Sequence, residues 1–268
     1  GVRKLATFAI LGYMIGYIAI GFLTMGKTLQ PILGWNIYTI VAVVAVIAGI
    51  YITFGGQTAV IFTDLAQGFI LIFAGILIFV LGINYVGGFS IFWNSLSPEF
   101  KLPLAHFNEP SNFNFSGIFW QDGVAGSVGF LFMNQGLIMR FMATKSVNEG
   151  RKAAAFNILF LLPISTIVVS NAGWVGKSIS ILTPEKWDAT VKLDHVFTQV
   201  AGLITTSEVV FAFIIAAVAA ALMSTVDTLI NAVAAVVVND VYKPIVKDRD
   251  DKHYLKVAMI VSAGATAL

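Results

Sequence analysis

Apolar residues in this chain fall in long continuous runs, broken by charges, glycines or prolines. Six runs are long enough to cross a bilayer as helices, at about residues 6–26, 36–54, 58–84, 118–141, 153–176 and 207–238, since a crossing takes ~20 residues. A seventh begins near Tyr254. Strands do not fit: barrel strands show weak ten-residue alternation, and in lipid the backbone of each segment must satisfy its own polar groups. The pattern therefore predicts an all-α, polytopic membrane protein. The chain opens on Gly1, and its last run, Tyr254 to Leu268, stops at 15 residues. We accordingly expect residues 1–268 to be a single transmembrane core that is an internal piece of a longer chain.

Composition agrees. The 268 residues are 58% hydrophobic and 11% charged, with a mean hydropathy of +0.88, against about 25% charged in an ordinary soluble domain. With no cysteines there is no disulfide framework or thiolate metal site. A net charge of +2 leaves no footprint for nucleic acid. His106, His195 and His253 lie in loops without ligand spacing, and neither a phosphate-binding loop nor a Ser/His/Asp triad is present. Nothing points to an enzyme; the expected surroundings are a lipid bilayer and a cell membrane.

Charge sets the orientation. Alternate crossings put Arg3, Lys4, Arg140, Lys145, Arg151, Lys152, Lys243, Lys247, Arg249, Lys252 and Lys256 on one side, 11 of the 16 basic residues. The positive-inside bias assigns that side, and the N-terminus with it, to the cytoplasm. On the other side, loop 85–117 is rich in Asn, Ser, Pro and Phe, and loop 177–206 carries Trp187, Asp194 and His195 in an expected short surface helix. An interfacial lid and a passive connector both fit these loops.

A carboxylate inside an apolar span costs about 2.5–3.5 kcal/mol on insertion scales, so it needs a partner, a proton or an ion. Asp64 and Asp227 are in that position. Asp64 lies about 12 Å along the axis from the Gly55-Gly56 turn; an ion pathway and a structural hydrogen bond to a neighbouring helix are both open. In the span 207–239, Ala221, Ser224, Thr225 and Thr228 share one face, bordered by Asp227 and Asn231 beside Ser224. Ser224 falls near the centre of that span. Two hydroxyls and a carbonyl near Ala221 would give half a shell for a hard monovalent cation such as sodium, the rest coming from another helix. Back-bonding of the hydroxyls to carbonyls one turn earlier is the structural alternative; Asp227, Asn231 and Thr228 on the same stripe tilt the reading to an ion site.

The run 118–141 is the least apolar, with Gly123, Gly126, Gly129 and Gly136 beside Ser127, Asn134 and Gln135. A discontinuous helix lining a midplane cavity and a closely packed glycine face both fit. On composition, Phe130, Phe132 and Met133 read as lipid-facing or core side chains.

Three segments together resemble the sodium:solute symporter family. They are Gly55-Gly56 with Ala59-Val60, Thr63-Asp64 and Gln67; Asn134-Gln135 with Arg140 and Lys145-Ser146; and Ala220-Ala221-Leu222-Met223-Ser224-Thr225 leading to Asn239-Asp240-Val241-Tyr242-Lys243. The resemblance covers nearly the whole chain. It implies part of a leucine-transporter-type core of two inverted five-helix repeats, here the third to ninth helices, and sodium-coupled symport of a small organic solute by alternating access. It further implies a sodium site at Ala221, Ser224 and Thr225, completed by first-helix carbonyls that this chain does not contain. Asp64, Asp227 and Thr228 match a second sodium site or exit path, although Asp227 and Thr228 stand where some members carry two serines. The sugar carriers of the family have an Asn, a Tyr-Trp pair and a Lys where this chain has Ser127, Phe130-Leu131 and Leu161, which disfavours a sugar held in that manner. Ser127, Phe130, Asn134 and Gln135 are the expected substrate-cavity wall. The alternative is a transporter-like sensor ahead of a histidine-kinase module.

Overall fold

The computed structural model describes residues 1–101, 119–126, 134–192 and 195–267. Among them there are helices and no strands. Helix α1 runs Val2–Leu33 and ends on Gly34, whose left-handed φ of 66° lets its N–H return to the Gln30 carbonyl at 2.9 Å. A second helical stretch, Ile37–Tyr85, breaks at Gly56, where φ 55° and ψ −153° lie outside helical space in a region open to glycine. We number its halves α2 (37–55) and α3 (57–85). The Gly-Gly turn expected between two spans is therefore a hinge one residue wide.

There follow α4 (Phe89–Ser95), α5 (Gln135–Met142), α6 (Val147–Leu182), α7 (Val196–Ile204), α8 (Glu208–Ile245) and α9 (Asp251–Ala267). Helices α1, α6 and α8 and the broken stretch are long and apolar enough to cross a membrane by length and composition. Five of the six expected full spans thus correspond to long helices, and the seventh, from Tyr254, lies in α9. The remaining span, 118–141, is π-helical over Phe119–Gly126 and helical again over α5; its middle lies outside the described residues. α6 and α8 each contain a π-helical stretch, Asn157–Leu161 and Val237–Tyr242. Each precedes a proline, Pro163 or Pro244, whose missing N–H leaves the carbonyl four residues earlier without its helical partner.

The chain divides into two compact units, residues 1–73 with 212–268, and residues 74–211. In the first, Met14, Ile18, Phe22 and Met25 form one buried stripe of α1, with successive members three or four residues apart. Gly21 lets α1 approach α8 closely: a Cβ there would lie 2.6 Å from a Val226 methyl. Arg3 donates to Asp240 Oδ1 from Nε at 3.0 Å and from a terminal nitrogen at 2.6 Å, and to the Asn239 carbonyl at 3.1 Å. The start of α1 therefore adjoins the end of α8, two places the charge pattern puts on one side of the membrane.

In the second unit α3 and α6 meet through glycine. Gly75 faces Val168, Gly82 faces Val175, and buried Asn171 donates to the Gly75 carbonyl at 2.6 Å. The hydroxyls of Ser95 and Ser178, 2.7 Å apart, pair α4 with α6. The surface helix expected around Trp187, Asp194 and His195 is displaced. α7 begins after His195 and buries Val200, Ala201 and Ile204, with Val200 against Gly176 of α6. Trp187 precedes it, beyond the turn Pro184–Lys186, and also packs on Gly176. The apolar stripe of α7 has a helix to cover, so it is not a surface element. Asp194 lies outside the described residues.

Candidate functional site

The polar stripe of α8 lies within the first unit, and three of its side chains are met by side chains from α2 and α3. Ser224 Oγ donates to Asp64 Oδ1, Tyr51 Oη donates to Asp227 Oδ2, and Asn231 Nδ2 donates to Gln57 Oε1. Positions 224, 227 and 231 succeed one another at three and four residues, one flank of a helix. Their partners come from both sides of the Gly56 break, Tyr51 on α2 and Gln57 and Asp64 on α3. The hinge therefore brings two helices onto one side of α8.

The hydroxyls differ in how they are used. Ser224 points to Asp64, while Thr228 Oγ1 bonds back to the Ser224 carbonyl at 2.9 Å. Thr225 is exposed, and its hydroxyl has a long 3.5 Å contact with the Ala221 carbonyl. Those two oxygens are spaced as neighbouring ligands of one small hard cation can be, and a bond of that length holds the hydroxyl weakly. So Ser224 reaches out to Asp64, while Thr225 and Thr228 turn back to carbonyls of their own helix, the structural alternative read from the sequence.

Asp227 has none of its surface exposed. Its Oδ2 accepts from Tyr51, while its Oδ1 is buried without a hydrogen-bond partner. A carboxylate oxygen left so in a span is costly unless a cation or proton joins it. Among the described residues no group of three or more His, Asp or Glu is arranged to hold a metal.

Asn134 and Gln135 open α5. Asn134 is nearly buried and caps the helix, its Oδ1 accepting from the Leu137 N–H at 3.1 Å. Gln135 is half-buried. Asn134 thus fixes the start of α5, and the other two residues of the expected cavity wall, Ser127 and Phe130, lie outside the described residues. A groove of about 850 Å³ lies between α1, α2 and α9 in the first unit and is apolar apart from Tyr38, Thr53 and Thr266. No sequence-predicted site residue lines it.

Sequence reasoning found the stripe and Asp64 but missed Tyr51 as a site residue and gave Gln57 no role. The available signal was the phenol of Tyr51 in the mostly apolar run 36–54, a polar group that needs a partner in lipid; which partner it takes is decided by packing.

The family model for the sodium:solute symporter family matches residues 2–265. Among similar proteins, a sodium/glucose cotransporter of Vibrio parahaemolyticus is 24% identical over 99% of this chain and 51% of its own length. A sodium/sialic acid symporter of Aliivibrio fischeri is 27% identical over all of this chain and 53% of its own. The chain thus spans about half the length of these curated relatives. A solved Na+-coupled sialic acid symporter, in a substrate-bound outward-open state, superposes with a TM-score of 0.81 over 98% of this chain and 55% of its own, at 21% identity; the two share a fold. With long apolar helices and a family match over nearly its whole length, this multi-pass membrane chain belongs to the sodium:solute symporter family, a family of transporters.

Proposed function

We propose that the chain is the greater part of a transport core that couples sodium entry to inward movement of a small organic solute by alternating access. The observation that carries this reading is the pairing of the α8 stripe with α2 and α3, in which Ser224 meets Asp64 while the Thr225 hydroxyl beside it is held only by a long 3.5 Å contact to the Ala221 carbonyl. Sodium is held by Ala221, Ser224 and Thr225, with ligands from a further helix completing the shell. Asp64, Asp227 and Thr228 form a second sodium site or the exit path on the inner side. Each sodium entering with the membrane potential contributes about 2.3 kcal/mol per 100 mV. Sodium favours the outward-open state because it binds that state better, and its loss toward Asp64 frees the solute inside.

The solute is small and organic, as for the relatives named after glucose and sialic acid. The residues at 127, 130, 131 and 161 disfavour a sugar held as in the sugar carriers. Ser127, Phe130, Asn134 and Gln135 remain the proposed cavity wall. The N-terminus and the 239–253 segment lie on the cytoplasmic side, in keeping with the Arg3–Asp240 pair.

The test is uptake by the intact protein in proteoliposomes over a panel of small organic solutes, with sodium replaced by potassium or by a pH gradient. Ser224→Ala or Thr225→Ala is expected to abolish or greatly weaken sodium-driven uptake. Unchanged uptake and sodium affinity in both variants would reject the site.

A further inference from the structure

Asp227 brings a carboxylate to the sodium-bearing flank of α8, and its side chain is held from outside that helix. Its Oδ2 is occupied by the Tyr51 hydroxyl, and its Oδ1 is buried with no donor among the described residues. Tyr51 belongs to α2, on the other side of the Gly56 break from Asp64. Asp227 follows Ser224 by three residues, about 4.5 Å along the axis and 60° around it. A carboxylate with one oxygen pinned and the other unmet has one acceptor to offer a cation, in one rotamer.

We propose that Tyr51 is a positioning residue for cation binding: it fixes the Asp227 carboxylate so that Oδ1 is presented to sodium passing along the Ser224–Asp64 flank. This rests on the reading of α8 as the sodium-binding helix. Without the hydroxyl both oxygens of Asp227 compete for one ion and the side chain is free to turn. Affinity for sodium then falls although no ligand has been removed. A tyrosine kept only for packing would lose little on conversion to phenylalanine and would leave the ion equilibrium where it was.

The intact protein, purified in detergent, is titrated with sodium chloride at constant ionic strength against potassium chloride, following both tryptophan fluorescence and melting temperature. Tyr51→Phe is expected to raise the half-saturating sodium concentration about tenfold, the scale of one hydrogen bond to a charged group. Its melting temperature in potassium alone should stay near that of the parent. Asp227→Asn should raise the half-saturating concentration similarly, and the double variant should go no further than the larger single effect, because both remove one arrangement. Thr225→Ala separates the two readings. If it abolishes the sodium response while Tyr51→Phe titrates like the parent, the positioning role is wrong and the sodium site stands. If Thr225→Ala titrates like the parent, the sodium site itself is wrong. Additive effects of Tyr51→Phe and Asp227→Asn would also overturn the proposal. Should Tyr51→Phe fail to fold, Tyr51→His, which retains a donor, must bind sodium more tightly than Tyr51→Leu; equal binding would overturn it.

Discussion

The α3–α6 contact gives a sharp test of the packing. A Cβ on Gly75 would sit 2.1 Å from Val168 Cγ1, 2.9 Å from its Cβ and 3.0 Å from its carbonyl oxygen. The first distance is roughly 1.4 Å short of carbon contact. Val168 is β-branched and stiff, and its backbone oxygen cannot turn away, so Gly75→Ala forces the helices apart or strains them. Such overpacking costs about 1–3 kcal/mol, and any separation also stretches the 2.6 Å bond from Asn171 to the Gly75 carbonyl. In lipid there is little hydrophobic drive to compensate, because helix association rests on close packing and hydrogen bonding.

We expect Gly75→Ala to lower the melting temperature of the detergent-purified protein by a few degrees, at about 2–4 °C per kcal/mol for a chain of this size. Val168→Ala in the same background removes the nearest methyl and should restore part of the loss. Gly173→Ala supplies the control on α6, since a Cβ there meets nothing within 4 Å and alanine favours helix by about 1 kcal/mol. A Gly75→Ala protein that melts with the parent, or losses from Gly75→Ala and Val168→Ala that simply add, would refute the close approach.

Two further outcomes follow from the first unit. Gly56→Ala places a side chain at φ 55°, ψ −153° and should cost about 1–3 kcal/mol, read as lost thermal stability; a neutral substitution would mean that the break between α2 and α3 is not at this residue. Gln57→Leu or Asn231→Leu alone strands the partner amide and should cost about 1–3 kcal/mol, whereas the double variant should be close to neutral. A double variant less stable than either single would count against their pairing.

The spans were legible because lipid imposes one rule on every residue of a crossing segment, and the runs from Val2 to Tyr85 and from Glu208 onward obey it without help from the rest of the chain. The break at Gly55-Gly56 was legible for the same reason, since only a turn separates two such runs. The stripe 221–231 was legible from helical periodicity alone. Its partners were not: Tyr51 and Asp227 are 176 residues apart, as a separate pairing joins Gln57 to Asn231 at 174, and no local pattern encodes which helix faces which. The exact place of the short helix expected in loop 177–206 was not legible either: it starts at Val196, and the room that Gly176 of α6 leaves for Val200 lies outside any local pattern.

The three pairs on α8 differ in what they leave over, and that difference separates scaffold from site. Gln57 and Asn231 are neutral amides, and their bond asks for nothing further from an ion. Ser224 with Asp64 and Tyr51 with Asp227 each set a neutral hydroxyl against a carboxylate, and Asp227 keeps an unmet acceptor, Oδ1, after its bond is made. The Tyr51 hydroxyl orients Asp227 without neutralising it and leaves Oδ1 unmet, and in a low-dielectric setting an uncompensated acid is an attractor for a cation. On the sodium reading proposed for α8, the Gln57→Leu, Asn231→Leu double variant is therefore expected to keep the sodium titration of the parent, whereas Asp227→Asn shifts it.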